Sequence, residues 1–252
     1  MTSMKSGASW RKIIELEEVE STNQYLSDLT GCQDVEHGTV VSAVFQSAGK
    51  GHGDASWESE PGKNILASIY LKEPCIPVEK QFYLSKVVSL AISDMLKPLC
   101  PGTMIKWPND IYIKDRKIGG ILIENTITGR KLMSSVIGIG LNVNQEHFPS
   151  IIPAPASVIL ESGKPADVRI LLKLLIKCLR DRYDKLCQGE YGDIDRDYLG
   201  NLYRYRTESR FQSGKRIFLA TITGVRENGE LELRTRKGTV KTYSFKEVQY
   251  MP

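Results

Sequence analysis

Apolar positions along this chain follow two periods, and the switches between them outline the elements. Ile13–Val19 and Val40–Gln46 are short runs rich in β-branched residues, and 65–71 is a third, all of strand length. Ser21-Thr22-Asn23 lies between the first two and reads as a helix start. A serine or threonine there accepts from backbone N–H groups that a first turn leaves without partners. Over 78–99, Phe82, Val87, Leu90, Ala91 and Met95 recur at helical spacing, which predicts one buried helix ending near Lys97-Pro98. Short strands follow at 104–107, 111–113, 118–125 and 132–142, with turns at Lys114-Asp115 and Thr128-Gly129. The stretch 166–187 predicts an amphipathic helix with Ile170, Leu171, Leu174, Leu175, Cys178, Leu179 and Leu186 inward. Residues 1–9 read as a loose tail and the proline-rich 149–155 as a loop.

After about residue 209 the texture changes. Strands at 217–225, 230–236 and 239–245 alternate with polar turns at Glu227-Asn228-Gly229 and Lys237-Gly238, the pattern of a small barrel-like unit. The expected class is α+β, with a mixed sheet packed with helices over 1–208 and a compact all-β domain over 209–252.

Composition narrows the function classes. Apolar residues make up 41% and charged residues 25% of 252, an ordinary globular balance able to bury a core without staples. A net charge of +4 from 34 basic and 30 acidic residues suits an anionic ligand without indicating nucleic acid. Five cysteines, an odd number with no Cys-x-x-Cys spacing, argue against disulfides or a zinc site and for a reducing, cytoplasmic setting. The three histidines are scattered and make no local metal motif. No apolar stretch has the length of a membrane span.

Three segments carry candidate chemistry. Gln46-Ser-Ala-Gly49-Lys50-Gly51-His52-Gly53 lets the backbone approach a ligand, and its N–H groups can cradle an anion beside Lys50; a plain surface loop fits the pattern equally. Lys106-Trp-Pro-Asn-Asp110 followed by Asp115-Arg116-Lys117-Ile-Gly-Gly120 would fold as a hairpin returning Lys117 to Asn109 and Asp110; alone it also fits a charged hairpin tip. Gly138-Ile-Gly140-Leu-Asn142-Val-Asn144 ends an apolar strand in small residues and amides, as a close backbone approach or a bulge would require.

Together these segments resemble the biotin protein ligase family. Gln-x-x-Gly-Lys-Gly, Lys-Trp-Pro-Asn-Asp, Arg-Lys-Ile-Gly-Gly-Ile-Leu-Ile-Glu and Gly-Ile-Gly-Leu-Asn-Val-Asn occur in the family's order and at its separations, and Ser21-Thr22-Asn23 matches its first motif. The resemblance implies a catalytic domain followed by a small SH3-like domain. It implies an enzyme that activates biotin with ATP and Mg2+ to biotinyl-5'-AMP, then transfers biotin to a lysine of a biotin carboxyl carrier domain. Homodimers are common in the family. Ser-Thr-Asn is reached by residue 21, so the expected form is a ligase without the DNA-binding winged helix, hence with no DNA and no membrane partner.

By the same resemblance, Ser21, Thr22, Asn23 and Gln46 hold the ureido head of biotin, with Gly49, Trp57, Gly138 and Gly140 along the biotin side. Lys117 lies between the biotin carboxylate and the α-phosphate, and Asp110 stands near the reacting centre. The loop residues Lys50, Gly51 and His52 wrap the phosphate, with Trp57, Lys106, Asn109 and Arg116 on the nucleotide side and Asn142 reading adenine. Lys117, Asp110 and Lys50 form the expected catalytic set, with no fixed protein site for a metal. The sequence departs from the family where the loop usually reads Gly-Arg-Gly-Arg. Lysine keeps the charge and loses the bidentate fork, and a further basic position is Ala55 or Ser56. Weaker retention of the adenylate is expected unless Arg116 and Lys106 compensate.

Two other readings remain open on sequence. A lipoate ligase shares the fold class and the adenylation chemistry, although Lys-Trp-Pro-Asn-Asp favours biotin. A single-strand nucleic-acid binder would use Arg204, Arg206, Arg210, Lys215 and Arg216 with Tyr203, Tyr205 and Phe211 interleaved; a solvated linker gives the same pattern.

Overall fold

A computed structural model describes residues 10–53, 55–149 and 155–251; the expected tail 1–9 and most of the loop 149–155 lie outside them. The first sheet is built from β1 (Ile13–Val19), β2 (Val40–Gln46), β3 (Ile65–Lys72), β4 (Thr103–Lys106), β5 (Asp110–Ile113), β6 (Arg116–Thr128) and β7 (Lys131–Leu141). Their order is β1-β2-β3-β7-β6-β5-β4. The β1–β2 pair is parallel, joined through α1 (Thr22–Cys32), and the remaining pairs are antiparallel. The sheet is therefore mixed, as the pattern of elements predicts.

Alternation along the two central strands divides the protein into layers. Ile65, Ala67, Ile69 and Leu71 of β3, with Ile137, Ile139 and Leu141 of β7, face the main core, where α2 (Phe82–Leu96) and, after the short α3 (Val158–Ser162), α4 (Val168–Cys187) cover them. The opposite face carries Tyr70 and Val136, which pack with Val41, Val35 and Leu26 of α1 in a smaller cluster. Leu26 is fully buried there, and such burial contributes about 1.5–3 kcal/mol. Further along this second face stand Ser68 and its register partner Gly138, then Gly140 opposite Leu66, and these small residues leave space unfilled beneath α1. That gap is the origin of the cleft described below.

Several expectations need correction. The region 78–99 is two pieces, a short 3-10 helix over Val78–Lys80 and then α2, which meet at Gln81. On α4 the buried stripe is Leu171, Leu172, Leu175, Ile176, Leu179, Tyr183 and Leu186. Ile170 is 63% and Leu174 39% exposed, and Cys178 is half-buried. Periodicity locates a stripe's centre only to about a residue, and packing against α2 decides its edges. The helix α5 (Tyr191–Gly200) went unpredicted because its sequence is mostly polar. It is held by Asp195, which accepts from buried Lys86 at 2.6 Å and from the Tyr83 hydroxyl at 2.8 Å. The expectation of no disulfide is overturned: Cys75 and Cys187 are bonded across 112 positions, where the end of α4 meets the connection after β3. No local spacing rule reaches that far.

The second sheet is entirely antiparallel: β8 (Glu208–Ser213), β9 (Arg216–Val225), β10 (Leu231–Thr235), β11 (Val240–Tyr243) and β12 (Gln249–Tyr250), in the order β11-β10-β9-β8-β12. It packs on the first unit, and the Trp107 indole N–H donates to the Gly229 carbonyl at 2.8 Å. Phe211 is fully buried and Tyr203 only 7% exposed, so neither ring is available to stack on bases. Among the described residues no helix is long and apolar enough to cross a membrane.

Candidate active site

A cleft of about 300 Å³ opens on the α1 face of the sheet. Its first end is polar and assembled around the start of α1. Ser21 caps the helix, and Ser21, Thr22 and Asn23 are all buried. The Thr22 backbone N–H and hydroxyl both donate to Gln46 Oε1, at 2.8 and 2.9 Å. Asn23 Nδ2 donates to Glu124 at 2.8 Å. Ser68 Oγ stands 2.7 Å from the Thr22 hydroxyl and 2.6 Å from Asn23 Oδ1, so its single proton serves one of them at a time. Gly138 makes room: a Cβ there would sit 2.4 Å from Asn23 Oδ1. Ser68 and Glu124 were missed on sequence, since a serine in an apolar strand carries no signal until α1 is in place.

Trp57 occupies the middle of the cleft. Gly120 of β6 and Gly140 of β7 are opposite each other in register, and the indole lies over both. A Cβ on Gly140 would stand 2.4 Å from Trp57 Cε2, and one on Gly120 would stand 3.3 Å from Trp57 Cζ3. The loop that delivers Trp57 folds back on itself. Trp57 N–H donates to the Gly49 carbonyl at 2.8 Å and Gly51 N–H to the Ala55 carbonyl at 2.7 Å. Gly49 is required by that closure, since its Cβ would be 2.4 Å from the Trp57 carbonyl oxygen. The Trp57 indole N–H is buried with no partner among the described residues, a cost of about 1–3 kcal/mol.

Charge collects at the far end. The β5–β6 hairpin sets Lys117 Nζ 2.6 Å from Asp110 Oδ1 and 5.8 Å from the centre of the Trp57 ring. A register shift after Ile111 brings the pair onto one side. Asn109 is fixed by donating to the Ile121 carbonyl at 2.8 Å. Lys50 lines the cleft and donates to Gln24 at 2.8 Å. Phe245 and Lys246, from the segment between β11 and β12, also line it. His52 meets the Phe245 ring edge-on at 4.1 Å. Burial, and then the charge of Lys246, hold the His52 imidazole below its ordinary pKa. Among the described residues, Lys50, Lys117 and Lys246 share the lining with one carboxylate, Asp110, which favours an anionic ligand.

The structure gathers most of the expected residues here: Ser21, Thr22, Asn23, Gln46, Lys50, Gly51, His52, Trp57, Asn109, Asp110, Lys117, Gly138 and Gly140. Gly49, Lys106, Arg116 and Asn142 stand outside this lining. Lys106 donates to the Tyr112 hydroxyl at 3.0 Å, and burial lowers its pKa. Arg116 is paired with Glu161. Asn142 is buried and donates to the Ala156 carbonyl at 3.0 Å.

Residues 15–142 match the biotin/lipoate A/B protein ligase family, just over half of the chain. The chain belongs to that family. The bifunctional ligase/repressor BirA of Bacillus spizizenii is 29% identical over 245 residues, covering 96% of this chain and 75% of that one. The biotin–[acetyl-CoA-carboxylase] ligase of Mycobacterium tuberculosis is 30% identical over 169 residues, 65% of this chain and 60% of that one. Among solved structures, a biotin protein ligase from Aquifex aeolicus in complex with biotin and ATP superposes with a TM-score of 0.80 at 24% identity, over 96% of this chain and 100% of that one. Family membership gives the cleft a chemical frame, because ligases of this kind join a carboxylate to an amine.

Proposed function

We propose that the chain is an ATP-dependent biotin protein ligase that forms biotinyl-5'-AMP and passes biotin to a lysine of a biotin carboxyl carrier domain. The observation that carries this reading is the cleft's two-ended character. A neutral hydrogen-bonding end at the start of α1 is separated by the Trp57 indole from a cationic end at Lys117. Biotin has that shape, a neutral ureido ring and a carboxylate tail. Ring donors and acceptors would exchange with Ser21, Thr22, Asn23 and Gln46, whose amide and hydroxyl groups offer both kinds of partner. The relatives support the choice of substrates: the Aquifex structure holds biotin and ATP, and the Mycobacterium protein is named for acetyl-CoA carboxylase.

In the first step a biotin carboxylate oxygen attacks the α-phosphorus of MgATP, the bond to pyrophosphate breaks, and magnesium pyrophosphate departs. No enzyme nucleophile is needed. Lys117 and Lys50 bring two anions together and offset the charge that develops. Among the described residues no group of three or more His, Cys, Asp or Glu side chains could hold a metal, and the magnesium is read as part of the nucleotide substrate. In the second step the acceptor lysine's amine attacks the acyl carbon, the bond to AMP breaks, and the nitrogen sheds a proton. Asp110, 2.6 Å from Lys117, is placed to orient the amine or receive that proton. A homodimer joined through edge strands of the first sheet completes the reading, and sedimentation tests the dimer; the Cys75–Cys187 bond removes the cysteine argument for a cytoplasmic setting.

The test is calorimetric titration with biotin, then with MgATP added, with lipoate as the control. Biotin binding together with biotinyl-AMP detected by mass spectrometry is expected. Lipoate binding in place of biotin would move the chain to the lipoate branch of the family.

A further inference from the structure

We propose that Glu124 is a positioning residue for the ring-reading end of the cleft: its carboxylate sets the orientation of the Asn23 amide, and with it the kind of ring the site accepts. The inference rests on the biotin ligase reading for its ligand, and on the hydrogen bonds for the residue. Glu124 stands on β6 just beyond Leu122, exposed and outside the cleft lining. A carboxylate only accepts, so the amide group 2.8 Å from Glu124 Oε2 is the Asn23 Nδ2 donor. The second Nδ2 hydrogen has the Leu122 carbonyl at 3.4 Å. Asn23 Oδ1 is thereby turned to Ser68 Oγ, 2.6 Å away. The amide lies directly over Gly138, where a Cβ would stand within 3.1 Å of its carbon, oxygen and nitrogen.

With both amide hydrogens committed, what Asn23 can still offer a ligand is a carbonyl lone pair. Gln46 is set the opposite way. Its Oε1 accepts from the Thr22 N–H and hydroxyl at 2.8 and 2.9 Å, which leaves the Nε2 hydrogens to donate. Asn23 and Gln46 both line the cleft. Together they present one acceptor and one donor, the complement of a ring that carries N–H beside C=O. A cyclic urea meets both; a dithiolane ring has neither group and would leave both amides facing atoms that cannot bond them. Were the Asn23 amide reversed, its oxygen would meet the Glu124 carboxylate, and the cleft would present two donors to a ring N–H. Glu124 acts through Asn23 and touches no ligand.

The experiment uses the full chain with Glu124→Leu and Glu124→Gln, and with Asn23→Ala as the second arm of a cycle. The side chain is exposed, so neither replacement disturbs the core, and an unchanged urea midpoint checks this. Biotin, lipoate and MgATP binding are measured by calorimetry, and KM and kcat from pyrophosphate release. We expect Glu124→Leu to weaken biotin about tenfold and to raise its KM alike, with kcat at saturating biotin and MgATP affinity little changed. Glu124→Gln, whose carbonyl still accepts from Asn23, should restore most of the loss. In the Asn23→Ala background Glu124→Leu should have no further effect on biotin. Equal biotin affinity in Glu124→Leu and wild type overturns the proposal, as does a tenfold loss that persists without Asn23; both outcomes leave the biotin reading standing. A wild type that binds lipoate and not biotin sinks that reading and this proposal together.

Discussion

Replacing Gly140 with alanine tests the seat of Trp57. The new Cβ would stand 2.4, 2.7 and 2.8 Å from three atoms of the indole. Ordinary contact begins near 3.4 Å, so the ring must retreat by about 1 Å from the glycine floor. Overpacking a rigid ring costs about 1–3 kcal/mol. The expected result in urea unfolding is a lowered midpoint with unchanged slope. A displacement of that size beside the reacting groups should also slow adenylate formation by about 100-fold. The decisive arm is a double-mutant cycle with Trp57→Ala, which removes the obstruction. Gly140→Ala should then be nearly silent, with a coupling of about 1 kcal/mol or more. Gly31→Ala is the contrast, since a Cβ there meets nothing within 4 Å and the position is helical; it should stabilise by up to about 1 kcal/mol. Additive effects of Gly140→Ala and Trp57→Ala would refute the reasoning.

Asp110→Asn should slow transfer from preformed biotinyl-AMP to an acceptor by about 100-fold or more; transfer at the wild-type rate removes Asp110 from the second step. Alkylation of the unfolded protein without reductant should label three cysteines, Cys32, Cys100 and Cys178, and labelling of all five would show that Cys75 and Cys187 are not bonded. With 112 positions between the bonded pair, reduction should cost about 2–4 kcal/mol of stability. His37 packs between Trp10 and Tyr183, and burial holds its pKa below the ordinary 6.5. The unfolded chain binds more protons between those two values, so this group's contribution to stability falls as pH drops from 6.5 through the folded pKa. An NMR titration midpoint at or above 6.5 would contradict the burial argument.

What the sequence disclosed and what it hid differ in physical kind. Strand positions were legible because alternation is set by each residue's own side of the sheet; β1 and β2 have the expected bounds. The start of α1 was legible because a cap is a local hydrogen bond, Ser21 to the Gln24 N–H. The site glycines were legible because each marks a place where another group stands too close for a Cβ: Gly138 under Asn23, Gly140 under Trp57. The hidden items all depend on arrivals from elsewhere. α5 is polar and is fixed by Asp195 meeting a lysine that points out of α2 into the core. The Cys75–Cys187 bond needs α4 docked before its ends are neighbours.

The same distinction separates the two ends of the cleft. At the α1 end, the residues that would read a neutral ring satisfy one another in the empty protein, Thr22 to Gln46 and Asn23 to Glu124. Binding there exchanges hydrogen bonds for hydrogen bonds and gains chiefly in fit. Away from that end the balance is different: among the described residues three ammonium groups and one carboxylate line the cleft, and an anion brings charge compensation. On the proposed reading, selectivity for the ring and affinity for the phosphate fall to different residues: a change at Thr22 or Gln46 should alter which ring is accepted and leave the nucleotide untouched, whereas a change at Lys50 should do the reverse, with Trp57 standing between the two ends on a floor of paired glycines.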